Sequence, residues 1–219
     1  MKIIKFFGDE NLSLKNLKHS SEITIDFTDI KTNRVVLAKQ IHSNKLKLVT
    51  EKHAGAGISK RAIIFADGLI TYQKNLFLGI KTADCIPILI WDRRKEIIAA
   101  VHSGRKGVEL KIAEKTVKLL HAKYGCNYKD IELELGPSIC SKCYSVDQKT
   151  FNKFVHSTKL DQNFPYLDLK KVVLHNLKQT GIPEENIKVH DVCTKEDKNF
   201  FSYRKNNTKQ RQISLIGMI

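Results

Sequence analysis

The sequence lacks a long apolar run, and no stretch reaches the about 18 apolar residues that a membrane-spanning helix needs. Residues 1–7 also lack the basic, apolar and small-residue regions of a secretory signal peptide. We therefore expect a cytoplasmic protein without a membrane partner. A composition of 42% hydrophobic and 28% charged residues is typical of a globular protein.

Cysteine is scarce in this chain and unevenly placed. The five cysteines are an odd number, which argues against a disulfide framework when no signal peptide is seen. Cys140 and Cys143 are the only Cys-x-x-Cys pair, and no second such pair completes the set that a zinc ribbon needs. This absence predicts a structural or incidental role for the pair.

Acidic residues are few: 23 Asp and Glu face 38 Lys and Arg, for a net charge of +15. The excess is spread along the chain, lysines outnumber arginines 31 to 7, and no basic-aromatic motif is present. Nucleic-acid recognition favours arginine forks and aromatic platforms, so we predict a lysine-rich surface that attracts small anions. A non-enzymatic protein whose basic surface binds RNA or a protein partner stays an alternative.

Apolar runs alternate with helical patterns, and neither a repeat nor a low-complexity linker divides the chain. The nearly continuous apolar runs at 86–91 and 97–101 are typical of strands covered on both faces. The alternation predicts one mixed α/β domain over 1–219. Other strands are predicted at 1–7, 34–42, 45–49, 62–65, 76–80, 131–135 and 187–192, and helices at 108–124, capped by Gly125, and at 167–180.

Three soft or borderline metal ligands, His42, Cys85 and His102, each fall at the end of an apolar run. Two imidazoles and one thiolate with an open fourth position form the ligand set of a catalytic zinc site. A thiol beside an imidazole is also a nucleophile with its base. The spacings of 43 and 17 residues do not decide between a shared site and three independent residues.

Seven short motifs follow one another along the chain: Gln40-Ile41-His42, Ala66-Asp67-Gly68-Leu69-Ile70-Thr71, Thr82-Ala83-Asp84-Cys85-Ile86-Pro87, Val101-His102-Ser103-Gly104, Leu135-Gly136-Pro137-Ser138-Ile139, Cys143-Tyr144-Ser145-Val146 and Phe201-Ser202-Tyr203-Arg204. In this order they resemble the YfiH/LACC1-like family from about Val35 to the C-terminus. It is also called the laccase-domain or multicopper polyphenol oxidase family, and its members are now described as purine nucleoside phosphorylases.

The resemblance implies a four-layer α/β/β/α sandwich with a metal held by His42, Cys85 and His102. It implies zinc as the metal, with copper as the alternative, and purine nucleosides and phosphate as partners. The implied activity is phosphorolysis of inosine, guanosine, adenosine and S-methyl-5'-thioadenosine, with adenosine deamination as an additional reaction. The oligomeric state is not implied.

Two regions depart from the family pattern. The family usually has His-Ala-Gly-Trp-Arg-Gly where this chain has His102-Ser103-Gly104-Arg105-Lys106-Gly107, so an aromatic surface is lost and basic charge moves. Residues 8–33 do not reproduce the loops that relatives carry near the N-terminus. Both changes leave the three metal ligands intact and affect the range of substrates.

The residues around the three ligands predict the remaining roles. Glycines and two cations at 103–107 open a helix, a combination that favours phosphate. Asp84 and Asp67 are candidates for moving protons, and Asp84 is equally a support for its neighbour Cys85. We predict substrate contacts from Gln40, Arg105, Lys106 and Arg204, and catalytic roles for Cys85, His42, His102 and Asp84.

Two enzymatic alternatives remain. A copper polyphenol oxidase would need many clustered histidines for oxygen reduction, and the chain has no His-x-His pair. A cysteine hydrolase or amidase that edits a cell-wall precursor would use Cys85 as nucleophile and His102 or His42 as base. The His-x-Glu and Pro-Cys-x-x-Cys signature of zinc nucleobase deaminases is absent, so deamination would require a different arrangement.

Overall fold

The computed structural model describes residues 1–60 and 64–219. Its strands are β1 (Ile3–Phe7), β2 (Glu22–Ile25), β3 (Thr28–Lys31), β4 (Val35–Leu37), β5 (Leu46–Leu48), β6 (Gly68–Thr71), β7 (Phe77–Thr82), β8 (Ile86–Asp92), β9 (Ile97–Ser103), β10 (Ile131–Leu135), β11 (Ile187–Val189) and β12 (Gln212–Met218). Its helices are α1 (Leu14–His19), α2 (Arg105–Glu109), α3 (Ile112–Tyr124), α4 (Gln148–Thr158), α5 (Leu169–Lys178) and α6 (Tyr203–Asn206).

Two mixed sheets form the centre of the molecule. One has the strand order β1-β12-β7-β4, and the other has the order β11-β10-β8-β9-β6-β5. Most neighbours are antiparallel, whereas β4–β7, β5–β6 and β10–β11 run parallel. A separate hairpin joins β2 and β3. The fold is therefore mixed α/β, as the sequence predicts.

Side-chain alternation along β8 and β9 explains why these strands are apolar throughout. Ile88 and Ile90 pack in the cluster that includes the helices α3 and α5, whereas Leu89 and Trp91 pack in the cluster between the two sheets. Successive side chains of a strand point to opposite faces, so a strand buried on both faces has no polar side. These two strands form the centre of the larger sheet.

The layers follow the predicted α/β/β/α order, although the fourth layer is thin. Helices α2 to α5 cover the six-stranded sheet. On the outer face of the four-stranded sheet, Leu17 of α1 and Ile25 and Ile30 of the hairpin pack in one cluster with Ile213 and Leu215 of β12. None of the helices in the described ranges has the length and apolar character needed to cross a membrane. The extent of the domain, 1–219, stays a prediction.

The helix predicted over 108–124 is two helices in the structure. Helix α2 starts at Arg105, and α3 starts at Ile112 after Lys111, whose φ of 55° lies in the left-handed region. A left-handed residue interrupts the helical hydrogen-bond ladder, so the chain bends there. Gly125, with φ of 68°, ends α3 as predicted, and its N–H donates to His121 O.

Several predicted strands are shorter than expected. The run at 34–42 forms a strand only up to Leu37, and His42 lies in a loop with a φ of 55°. The run at 187–192 ends its strand at Val189. The strand predicted at 62–65 lies in part outside the described residues. Helix α4 was not predicted, although Asp147 caps it by accepting from the N–H of Thr150 at 2.8 Å.

Candidate metal centre

A cleft of about 760 Å³ opens beside the start of β8 and the end of β9. His42, Cys85 and His102 all line it. Their ligand atoms lie within 4.8 Å of one another, and the rings of His42 and His102 are 5.0 Å apart and nearly perpendicular. The three residues that the sequence predicts as metal ligands therefore converge, and we call them the three-donor cluster.

The sheet register and one loop bring the three donors together. Strands β8 and β9 are antiparallel, and Pro87 pairs with His102, so the turn that carries Cys85 lies beside the end of β9. His42 comes from the loop after β4, in the other sheet. The cluster thus sits where the two sheets meet at one edge. The prediction that each donor lies at the end of a strand is wrong for His42, which lies in a loop, whereas Cys85 directly precedes β8 and His102 lies near the end of β9.

Asp67 organises both histidines of the cluster. Its fully buried carboxylate accepts from the N–H of His42 at 3.0 Å, from the N–H and Oγ of Ser43 at 2.7 Å each, and from Nδ1–H of His102 at 2.9 Å. A carboxylate on one ring nitrogen fixes the tautomer and leaves Nε2 for a metal. The sequence predicts Asp67 only as a candidate for moving protons, and this orienting contact was not predicted.

The electrostatics of the cluster favour a cation between its donors. Burial opposes charge at each group, yet hydrogen bonds from His102 and Ser43 lower the pKa of Asp67 to about 2. Against the effect of burial, His102 and His42 lower the pKa of the Cys85 thiol to about 6, and Asp67 and Cys85 raise the pKa of His102 to about 9. The carboxylate of Asp67 and the thiolate of Cys85 therefore stabilise a positive charge at Nε2 of His102. A bound metal cation supplies that charge as well as a proton does.

Gly104 closes the cluster from the backbone side. A Cβ at this position would lie 2.9 Å from Cys85 Sγ, 3.5 Å from His42 Cδ2 and 3.6 Å from His102 Cε1. The glycine therefore leaves the room that the three donors need. Its predicted use was the approach of backbone to phosphate, and helix α2 behind it has only five residues, which leaves little dipole to attract an anion.

Asp84 holds the turn that presents Cys85. Its φ of 88° is unusual for a residue with a side chain. Its carboxylate accepts from Thr194 Oγ1 at 2.9 Å and from the N–H of Arg204 at 2.7 Å, and its carbonyl accepts from the N–H of Ile139 at 3.0 Å. These three contacts, from the segments after β10 and β11 and from α6, stabilise a strained backbone at the cluster.

The other predicted substrate residues also line the cleft. Gln40 joins the loop of His42 to β7, because its side-chain amide exchanges two hydrogen bonds with the backbone of Lys81, at 2.8 and 2.9 Å. Arg105 and Lys106 are exposed at the start of α2. Arg204 stacks over the ring of Tyr144 with its Cζ 4.6 Å from the ring centroid, and its Nη1 donates to Ser145 O.

The cleft is strongly basic. Besides the two histidines it is lined by seven cationic side chains and by one carboxylate, that of Asp84, which already accepts two hydrogen bonds. Burial and the nearby charges of Lys18 and Arg211 lower the pKa of Lys81. Three of the cations were not predicted as substrate ligands, because lysine is too frequent in this sequence to stand out: Lys39, Lys81 and Lys209.

A second cluster of metal-binding side chains lies outside this cleft. The ligand atoms of Cys140, Cys143, Cys193 and Glu196 lie within 4.8 Å of one another and could hold a metal ion. We call it the four-donor cluster. The expectation that Cys140 and Cys143 lack a partner pair is wrong, because Cys193 and Glu196 supply it from a distant part of the chain. A search for Cys-x-x-Cys pairs does not detect a pair whose second member is a carboxylate.

The fold and the three-donor cluster define an α/β/β/α protein in which two imidazoles and a thiolate line a basic cleft. The sequence profile of the family described as multi-copper polyphenol oxidoreductase laccase matches residues 9–219. The chain belongs to this family. The predicted resemblance is thereby confirmed.

Two named relatives and one solved structure support the same conclusion. The chain is 34% identical to purine nucleoside phosphorylase YlmD of Bacillus subtilis over 195 residues, 84% of this chain and 70% of that one. It is 34% identical to purine nucleoside phosphorylase Cj1217c of Campylobacter jejuni over 200 residues, 88% and 80% of the two chains. The crystal structure of the hypothetical protein YfiH of Bacillus licheniformis is similar with a TM-score of 0.84 at 29% identity, covering 99% of this chain and 93% of that one.

Proposed function

We propose that this chain is a metal-dependent purine nucleoside phosphorylase whose zinc is held by His42, Cys85 and His102. The observation that carries the proposal is the three-donor cluster in the lining of a cleft that seven cations also line. The names of the relatives from Bacillus subtilis and Campylobacter jejuni point to the same reaction. We take 1–219 as one such domain.

The donor set fits zinc, and copper is the alternative that the same set also binds. Three protein ligands leave a fourth position open, where a bound metal supplies Lewis acidity and lowers the pKa of water to about 7. Asp67 keeps His102 in the tautomer that binds a metal, and the low pKa of Cys85 provides a thiolate at neutral pH.

Phosphorolysis forms a bond between a phosphate oxygen and C1' of the ribose while the C1'–N9 bond breaks and the purine leaves with a proton. The phosphate dianion brings its negative charge into the cleft. Fixed cations there lower the energy of the bound phosphate and of the transition state. Arg105 and Lys106 line the cleft together with the cluster, and so do Lys81 and Arg211. We assign phosphate binding to this group of cations.

Arg204, Asp84 and Gln40 take different parts in this proposal. Arg204 and Tyr144 form a flat stacked pair at the cleft, which suits contact with a purine or a ribose. The carboxylate of Asp84 and the amide of Gln40 are engaged with backbone and side-chain partners. Their contacts support a positioning role, and the predicted proton transfer by Asp84 stays a prediction.

The test is the release of hypoxanthine from inosine in the presence and absence of phosphate. We expect release that requires phosphate, and an increase of the phosphate KM by about tenfold or more in the Arg105→Ala/Lys106→Ala variant, which loses two charged hydrogen-bond donors. The charge-matched control is Lys118→Ala/Lys149→Ala, since both of these lysines are exposed outside the cleft.

Guanosine, adenosine and S-methyl-5'-thioadenosine are assayed in parallel. An unchanged phosphate KM in the double variant would remove the assigned phosphate site. The absence of phosphate-dependent base release from all four nucleosides would contradict the proposed function.

Adenosine deamination is a second candidate, favoured by the open fourth position that three protein donors leave for water. Replacement of the 6-amino group by water-derived oxygen turns adenosine into inosine and ammonia and consumes no phosphate. Inosine formation from adenosine in phosphate-free buffer therefore separates this activity from phosphorolysis. If inosine does not form there, the chain has no deaminase activity.

The three-donor cluster also separates the proposed phosphorylase from the two alternatives, a laccase and a cysteine hydrolase. Among the described residues that line the cleft, His42 and His102 are the histidines, so a laccase reaction would lack the additional copper ligands for four-electron oxygen reduction. A cysteine hydrolase would use the same low pKa of Cys85 with its thiol free of metal. Rapid alkylation of Cys85 in protein saturated with metal at both clusters would favour the hydrolase over the phosphorylase.

A further inference from the structure

The four-donor cluster lies where the loops after β10 and β11 meet. The proposed reaction does not use these four side chains. Cys140 precedes a short turn after β10, Ser141–Cys143, and Cys143 is the last residue of that turn, whereas Cys193 and Glu196 lie after β11. We propose that Cys140, Cys143, Cys193 and Glu196 form a second, structural zinc site. This site goes beyond the proposed function, because none of the four side chains lines the cleft.

The geometry of the two loops supports a metal. Each loop presents two donors three residues apart, the separation that places both members of a pair on one side of a tight turn. Glu196 Oε1 lies 3.5 Å from Cys143 Sγ, and Glu196 Oε2 lies 3.9 Å from Cys140 Sγ. The N–H of Cys140 points to Cys193 Sγ at 3.3 Å, a contact that stabilises a thiolate ligand.

Charge balance favours a divalent cation at this cluster. Binding of Zn²⁺ displaces one proton from each of three thiols to solvent, and the three thiolates with one carboxylate leave the site with a net charge of −2. The ammonium group of Lys170 is nearby, with hydrogen bonds to the carbonyls of His190 and Val192. Three thiolates select zinc over the hard cations magnesium and calcium.

Four protein ligands close the coordination shell of zinc, so this site is structural rather than catalytic. Its position shows what it stabilises. Ile139, next to Cys140, and Thr194, next to Cys193, are two of the residues that hydrogen-bond Asp84. The second zinc therefore fixes two of the three contacts that hold the turn of Cys85 in place.

The experiment uses the full-length protein and measures metal per chain after exhaustive dialysis. We expect the Cys140→Ser/Cys143→Ser variant to lose one equivalent of zinc relative to the starting protein. We expect the His42→Ala/His102→Ala variant to keep that equivalent. After cobalt substitution, the latter variant shows the sulfur-to-cobalt charge-transfer intensity of three thiolates rather than one. Cys126→Ala is the control, because this buried cysteine belongs to neither cluster.

If the double cysteine variant does not fold, Glu196→Ala is the second test. Glu196 is exposed, so its replacement does not disturb the core. We expect this variant to lose its equivalent of zinc to a competing chelator at a concentration about tenfold or more below that needed for the starting protein, because one ligand is gone. Equal zinc content in all variants would overturn the proposal. So would a disulfide between two of these cysteines in the protein purified without reductant.

Discussion

The two clusters of metal-binding side chains differ in how many ligands each supplies and in what holds them. The three-donor cluster lies at the meeting edge of the two sheets, opens into a basic cleft and is oriented by the buried carboxylate of Asp67. The four-donor cluster lies on two loops outside the cleft and has as many protein ligands as tetrahedral zinc accepts. An open position permits chemistry at the first cluster, whereas a closed shell makes the second a clamp.

The clusters also differ in how far the surrounding fold prepares them. Asp67 accepts four hydrogen bonds of 3.0 Å or less at the first cluster. At the second, one N–H donates to a sulfur, and two donors are only partly buried. The first is thus preorganised for a metal, whereas the second depends more on the metal itself to order its loops.

The largest expected effect is on phosphorolysis, which should depend on the three-donor cluster much more than on the four-donor cluster. Replacement Cys85→Ala removes a ligand beside the reacting groups, and we expect kcat/KM for phosphorolysis to fall by about 10³-fold or more. Cys143→Ser removes a ligand of the clamp, and we expect a fall of about tenfold or less. Steady-state kinetics with inosine and phosphate measure both. Equal losses in the two variants would mean that the clusters do not differ in role.

A smaller effect concerns the support of the first cluster. Asp67→Asn keeps the shape of the side chain but removes the charge that orients His102, so we expect metal affinity at the three-donor cluster to fall by about 10–100-fold. The second cluster should keep its metal. Competition with a chelator in the His42→Ala and Cys143→Ser backgrounds reports each site separately. Asp197→Asn, which changes a half-buried carboxylate near the second cluster, is the matched control.

Gly104 gives a test of packing at the first cluster. In Gly104→Ala the new Cβ would lie 2.9 Å from Cys85 Sγ, so we expect the thiolate to shift and metal affinity to fall by about tenfold. The control is Gly125→Ala, in which the new Cβ has space but must adopt a φ of 68°. That variant should lose about 1 kcal/mol of stability and keep its metal. Unchanged metal affinity in Gly104→Ala would show that the cluster tolerates a wider spacing.

The smallest expected effect is a pH-dependent loss of stability in the larger sheet, at Glu134 of β10, which belongs to neither metal cluster. Although burial opposes it, hydrogen bonds from His190 and Lys5 lower the pKa of Glu134 to about 2, from an ordinary value of 4.5. The stabilisation is therefore present above pH 4.5 and is lost as the pH falls towards 2. Because Lys5 and His190 are partly exposed, we expect Glu134→Gln to cost about 1 kcal/mol at pH 7.

The measurement is urea unfolding with a chelator present at every pH, so that neither metal contributes. The difference between the original protein and Glu134→Gln should shrink between pH 4.5 and pH 3. A difference that persists unchanged at pH 3 would show that Glu134 stabilises the fold through contacts other than its charge.

Much of the larger sheet was predictable from the sequence. Strands β8, β9 and β10 agree with the predicted runs to within two residues, because a strand buried on both faces is apolar at every position. The hairpin of β2 and β3 and the helix α4 were not predicted. Their apolar residues are few, and the sheet and neighbouring helices supply the packing that their own patterns do not specify.

The candidate site was predictable only in part. His42, Cys85 and His102 were predicted together through the family resemblance, and the spacings alone left them independent. The role of Asp67 was not predictable, because an Asp-Gly pair is also an ordinary turn signal. The pairing of Cys193 with Cys140 across 53 residues has no local signature.

The sequence by itself determined the mixed α/β class and the membership in a family, because burial patterns and ordered motifs are properties of the chain. It also determined which side chains are able to bind a metal. Only the tertiary structure decided which of them meet: the register of β8 on β9 places Cys85 beside His102, and a loop from the other sheet adds His42. The same folding brings Glu196 to three cysteines, because contacts between distant segments depend on sheet packing rather than on local sequence.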